Sequence, residues 1–235
     1  MEPYTRYNLD VTDKRFFNWC VEAGLIEASP IARVKLIKPE RPVHPATSLA
    51  EVNNILSMAE GTVSVVIAVG AFTGLRLGEI CALKPGDVDL DASVIHVRAG
   101  KTAAAVREVP IHPRLADILH DYNGFKGEYL FNAQASNRFP EGNHHLNPRC
   151  VNVDFKRLAK QVGITVGRKN MGVTFHSLRR HFKTASLNAG VPLPLVDRWL
   201  GHSNKNDINF HYFRPTQAEE AQWMSAIDFG NTSTP

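Results

Sequence analysis

The chain has 235 residues, 43% hydrophobic and 21% charged, which fits a soluble globular protein with one large domain, or one large domain plus a fragment. Its 27 Lys and Arg against 23 Asp and Glu leave a net charge of +4, so a polyanionic partner is permitted but not demanded. Cys20, Cys81 and Cys150 are odd in number, far apart and without a CxxC, which argues against a disulfide framework or zinc ribbon and fits a reducing cytosol.

The opening "MEPYTRYNLD" has no apolar core of a secretory signal, and the most apolar run, "VSVVIAVGAF" (63–72), is too short to span a bilayer and reads as a buried helix. Residues 12–26 predict an amphipathic helix with Phe16, Phe17, Trp19, Cys20 and Leu25 on its apolar side, ended by Gly24 and "ASP". The segment "IARVKLIKPERPVHP" then carries Arg33, Lys35, Lys38 and Arg41 against a single acid, with three prolines and no clear period, and reads as an extended basic linker. A lone helix before a linker has little to bury itself against, so the chain is expected to begin partway through a larger N-terminal domain.

From Thr47 the signals are dense. "SLAE" is a capping-box pattern opening a helix to about Ala59, and the buried helix at 62–73 is broken by Gly74. "RLGEICAL" makes a short helix that puts Arg76 and Glu79 on one face, and "KPGDVDLD" is turn chemistry. "SVIHV" and "REVPI" read as two strands joined by a hairpin-like connection with Lys101 near its tip. Helices follow at about 113–121 and 148–162, the second capped by Asn147. In "TFHSLRRHFKTASLNAG" an apolar stripe of Phe175, Leu178, Phe182, Ala185 and Ala189 runs to Gly190 at the helix end. "PLPLVDRWL" is a further helix stopping at Gly201, and "TQAEEAQWMSAI" is the last, at about 216–227. The fold class expected is mainly α with one small antiparallel sheet. The expected divisions are a helical remnant at 1–30, a basic linker at 31–46 and the main domain at 47–235.

Singly, the charged residues have plain explanations: a helix-surface ion pair for Arg76 and Glu79, a solvated helix edge for His176 and Arg179, and a carbonyl contact at a helix end for His202. Together, "TGLRLGE", the lysine of "GKT", "HSLR", "LGH" and a tyrosine ten residues past that histidine occur in one order. This set resembles the catalytic domain of the tyrosine recombinases, the phage integrase family, over about residues 45–215. The residues that carry it are Arg76 with Glu79, Lys101, His176 with Arg179, His202 and Tyr212. The spacing from His202 to Tyr212 is one residue longer than in many members, and the usual Thr pair before the tyrosine is missing. The departures bear on where Tyr212 stands without DNA.

The chemistry explains the residue types. Attack on a phosphodiester builds negative charge on non-bridging oxygens, and two guanidiniums can hold it bidentately at any working pH. Arg76 and Arg179 would form that clamp, with His202 and His176 adding hydrogen bonds. A tyrosine nucleophile conserves the bond energy in a phosphotyrosyl ester. With a pKa of about 10, the phenol needs either arginines that favour phenolate or a base such as His176. The resemblance implies that Lys101 protonates the departing 5′-oxygen and that Glu79 orients a basic residue or a histidine rather than touching DNA. Arg33, Lys35, Lys38, Arg41 and Arg180 are candidates for the DNA backbone. His181 and His211 are read as structural. Without HExxH or clustered carboxylates, neither a metal nor another cofactor is expected.

The resemblance implies a site-specific DNA recombinase of phage or mobile-element type, acting on double-stranded DNA in the cytoplasm or nucleoid of a bacterial host. It also implies a homo-tetramer on two DNA sites, a monomer without DNA, and no membrane. Two alternatives are a type IB topoisomerase, which uses a similar residue set, and a non-catalytic DNA-binding module.

Overall fold

The computed structural model describes residues 3–40, 45–98, 106–122, 125–137, 140–142, 144–202 and 213–230. The chain divides into two compact units, Met1–Val43 and His44–Pro235.

In the first unit, helix α1 spans Pro3–Glu22 rather than 12–26. Proline suits the first turn of a helix, and residues 4–11 contain no breaker, so the helix starts earlier than its aromatic residues suggest. It closes when the N–H of Gly24 (φ 70°) reaches Val21 O and the N–H of Leu25 reaches Cys20 O, at 3.0 and 2.9 Å. Phe16, Trp19 and Leu25, expected as an apolar side, are exposed, and Cys20 is the buried residue of the helix. Residues 35–40 have no regular structure, and Arg33, Lys35 and Lys38 are exposed.

The second unit is built around α3 (Gly61–Thr73). Every residue from Val65 to Thr73 is buried. A helix that is apolar on all sides has to be central, and the others surround it. Before it lies α2 (Leu49–Met58), whose Ser48 and Glu51 form the expected capping box: Glu51 Oε2 accepts from Ser48 N at 2.7 Å and Ser48 Oγ accepts from Glu51 N at 3.2 Å. Helices α4 (Leu77–Cys81), α5 (Pro113–Asp121), α6 (Pro148–Gln161) and α7 (Phe175–Asn188) also pack against α3. Its most extensive partner is α7, and Gly70 makes the close approach possible, since a Cβ there would lie 2.8 Å from the Phe175 ring.

The sheet has three antiparallel strands in the order β1 (Val88–Asp89), β2 (Val94–Val97) and β3 (Arg107–Pro110). In register, Ile95 faces Val109 and Val97 faces Arg107. The stretch "KPGDVDLD", read as turn alone, makes one helical turn at Pro85–Asp87 and then contributes β1. Two residues suffice there because Val88 pairs with Ile95 and points into the core.

Helix α8 (Leu193–Leu200) follows, and α9 (Gln217–Ser225) completes the described elements. Met224, Ile227 and Phe229 are buried in the core of their own unit. Phe229 packs against Phe72 and Phe182, with ring centroids 4.8 and 6.2 Å away. Glu220 ties α9 to α8 by accepting from Trp199 Nε1 at 2.7 Å and pairing with Arg198. Among the described residues, no helix is long and apolar enough to cross a membrane.

Candidate active site

Four of the six residues expected to do chemistry lie in the described part, and they converge. The convergence begins with two helix ends. Helix α3 stops at Gly74, whose φ of 66° turns its carbonyl away from the helix. Helix α8 stops at Gly201, also at φ 66°. The N–H of Gly201 reaches Arg198 O and the N–H of His202 reaches Asp197 O, both at 2.9 Å, the paired bonds of a Schellman close. The local sequence "DRWLGH" therefore fixes His202 relative to α8.

Arg179, on α7, is buried and spans the two ends. Its Nη1 donates to Gly74 O at 2.7 Å, and its Nη2 donates to Leu200 O and to His202 Nε2, the latter at 2.9 Å. A guanidinium can only donate, so His202 Nε2 is the acceptor and the ring proton sits on Nδ1. That nitrogen lies 3.0 Å from Asp197 Oδ1, which also accepts from Lys183 Nζ at 2.9 Å. Burial, then Arg76, pushes the Arg179 guanidinium down to about 10, so it stays charged at neutral pH. Burial also lowers His202, and Asp197 opposes that shift.

Arg76 stands at the entry to α4. Its Nη1 donates to Glu79 Oε1 at 2.7 Å and its backbone N–H to Glu79 Oε2 at 2.9 Å. The Arg76 side chain is 44% exposed, the Glu79 side chain only 8%. Burial raises the Glu79 carboxyl, but hydrogen bonds from Arg107 and from the Arg76 backbone outweigh it and hold the group below the usual range.

Arg76, His176 and Arg179 line one cavity of about 700 Å³, together with Lys156, Arg168 and Lys169. No acidic residue lines it among the described residues. His176 is exposed to this cavity. Its pKa is pushed down to about 4, first by partial burial and then by Arg180, Arg179, Arg168 and Arg76. It is neutral at physiological pH and has a lone pair to offer.

Lys101, Tyr212 and Arg41 lie outside the described residues, as does His211. Arg180 is partly buried and donates to Pro45 O at 3.1 Å. His181 is buried with Nδ1 2.9 Å from Thr47 O. Among the described residues no three His, Cys, Asp or Glu side chains form a metal-binding group.

Several contributors are not visible in the motifs. Asp197 meets His202 within the close of α8, whereas Lys183 reaches Asp197 only after α7 and α8 pack. Lys156 and the turn Arg168–Asn170 reach the cavity from separate segments. Arg107 is buried, with its side chain 3% exposed, and contacts Glu79. A signal for it existed: in "REV" it shares the inward strand face with Val109, an unusual place for a cation without a partner.

Residues 47–219 match the family model described as "Phage integrase family". The chain belongs to the phage integrase family. The tyrosine recombinase XerA of Thermococcus kodakarensis is 36% identical over 180 residues, 73% of this chain and 59% of that protein. The chain thus spans less than two thirds of that relative's length. In structure this family member is similar to the integrase of mycobacterium phage Brujita, with TM-score 0.64 at 24% identity over 99% of this chain and 74% of that one. It is also similar to the lambda integrase bound to DNA, with TM-score 0.62 at 19% identity over 88% of this chain and 72% of that one. At these identities the two structures speak for the integrase catalytic fold, mainly α with a small antiparallel sheet.

Proposed function

We propose that this integrase-family chain cleaves and rejoins strands of double-stranded DNA, as a site-specific recombinase, through a phosphotyrosyl intermediate. The observation that carries the reading is the meeting of Arg76, His176 and Arg179 at one cationic cavity, with His202 bonded to Arg179. Such a site suits an anion whose charge grows during reaction.

In the reaction, Tyr212 Oη attacks the phosphorus, forming the O–P bond to the 3′ strand and breaking the bond to the 5′-oxygen. His176, neutral near pH 7, accepts the phenolic proton. Lys101 gives a proton to the departing 5′-oxygen. Arg76 and Arg179 hold the non-bridging oxygens. The phosphate's charge favours protonation of His202, whose Nε2 then donates to oxygen while Asp197 retains Nδ1–H. Attack by a 5′-hydroxyl on the phosphotyrosyl ester reverses the step and releases Tyr212, so neither metal nor ATP is required. Arg33, Lys35, Lys38, Arg41 and Arg180 add salt-dependent affinity for the DNA backbone. The working assembly is a tetramer on two DNA sites, formed from monomers, in a cytoplasmic setting.

A pool of duplexes randomised around a nick tests the reading. Wild-type protein is expected to give a covalent protein–DNA band resistant to detergent, and Tyr212→Phe none. A band of equal strength from both proteins overturns it.

A further inference from the structure

Arg107 has no place in the motif set, yet it joins the pieces of the site. It opens β3 on the strand's buried face. Its Nη2 and Nη1 donate to Glu79 Oε2 and Oε1 at 2.9 and 3.4 Å, and its Nε donates to Trp199 O at 2.6 Å. Glu79 is thus shared between two arginines, Arg107 on its buried side and Arg76 on the side that opens to the cavity. Trp199 O and Leu200 O are neighbouring carbonyls at the end of α8, where intrahelical donors have run out. Arg107 takes the first and Arg179 the second. One buried fork therefore links α4, β3 and the helix end that carries His202.

We propose that Arg107 is a positioning residue for phosphate: by neutralising Glu79 it leaves the positive charge of Arg76 available to the scissile group. With both arginines the cluster carries one net positive charge. Without Arg107, Glu79 and Arg76 form a neutral pair, and the field at the cavity loses that charge. Glu79 would also pull Arg76 inward, since a desolvated carboxylate takes whichever cation remains. Arg107 acts through Glu79 and does not touch DNA. The inference rests on the cleavage reading above.

The test is single-turnover formation of the covalent band, using the full chain and the randomised nicked duplexes. Arg107→Met is expected to lower the rate about 100-fold, comparable to the loss of one preorganised donor. Adding Glu79→Gln to Arg107→Met removes the unneutralised anion and is expected to recover about tenfold. A purely structural role for the pair predicts a double variant no faster than the single, and that result overturns the inference. Arg107→Lys keeps the charge but not the fork and is expected to stay within about tenfold of wild type. If Arg107→Met does not fold, Arg107→Lys decides: a folded but inactive lysine variant also overturns the inference. Absence of a wild-type band refutes the cleavage reading itself and, with it, this inference.

Discussion

His202 Nε2 accepts a hydrogen bond from Arg179 Nη2 at 2.9 Å, so the two groups expected to grip a phosphate are here bonded to each other. Arg179 is held from behind by Gly74 O and Leu200 O. Among the described residues its Nε has no partner, which leaves a donor for an incoming oxygen. The arrangement preorganises the guanidinium at the meeting point of two helix ends, so little of its freedom remains to be lost when phosphate binds.

Gly74 is the first place to test that scaffold. Its φ of 66° disfavours any Cβ, and a Cβ there would lie 2.6 Å from both Leu200 Cδ2 and Phe182 Cδ1. Gly74→Ala is expected to destabilise the protein by about 2–4 kcal/mol, from left-handed strain plus overpacking. Urea denaturation should show a lower midpoint with an unchanged slope.

Asp197 accounts for the tautomer of His202. Asp197→Asn removes the charge that opposes the lowering of the His202 pKa, so the imidazole is expected to titrate at lower pH than in wild type. Nitrogen-detected NMR of the ring measures the shift. Cleavage is expected to slow about 10- to 100-fold, with the pH profile changed in shape, as when the carboxylate behind a working histidine is lost.

His176 gives a signed pH prediction. Its pKa is about 4 in the folded chain against 6.5 as the ordinary value. The unfolded state therefore binds more protons between these limits, and the contribution of His176 to stability is full above pH 6.5 and lost as pH falls toward 4. A His176 titration with a midpoint near 6.5 in the DNA-free protein would contradict its partial burial and its crowding by Arg180, Arg179 and Arg168.

Phe229 tests how the C-terminal segment is held. It is 1% exposed and packs on Phe72 and Phe182 of its own unit. Phe229→Ala is expected to cost about 3–5 kcal/mol at any protein concentration. A loss that depends on concentration would instead mean that a neighbouring copy supplies the packing.

Much of this protein is legible from local pattern. The capping box at Ser48 and Glu51, the all-apolar helix ended by Gly74, and the close of α8 at "LGH" each depend on contacts within one turn or on a single backbone angle. So does the i, i+3 pair of Arg76 and Glu79. The start of α1 was not legible, because the aromatic residues used to place that helix remain exposed and the residues before them simply continue it. The short β1 was hidden for another reason: two residues make a strand only when a partner strand is present.

By itself the sequence determined the order of the α-helices and of the two longer strands, with the four described motif residues, since helical period and glycine stops act within a few residues. What only the tertiary structure decided was which groups work on those residues. Arg107 reaches Glu79 across 28 positions and Trp199 across 92, while Arg179 reaches Gly74 across 105. No spacing rule spans such separations. They arise because buried cations and unpaired helix-end carbonyls must satisfy one another once the core around α3 has packed.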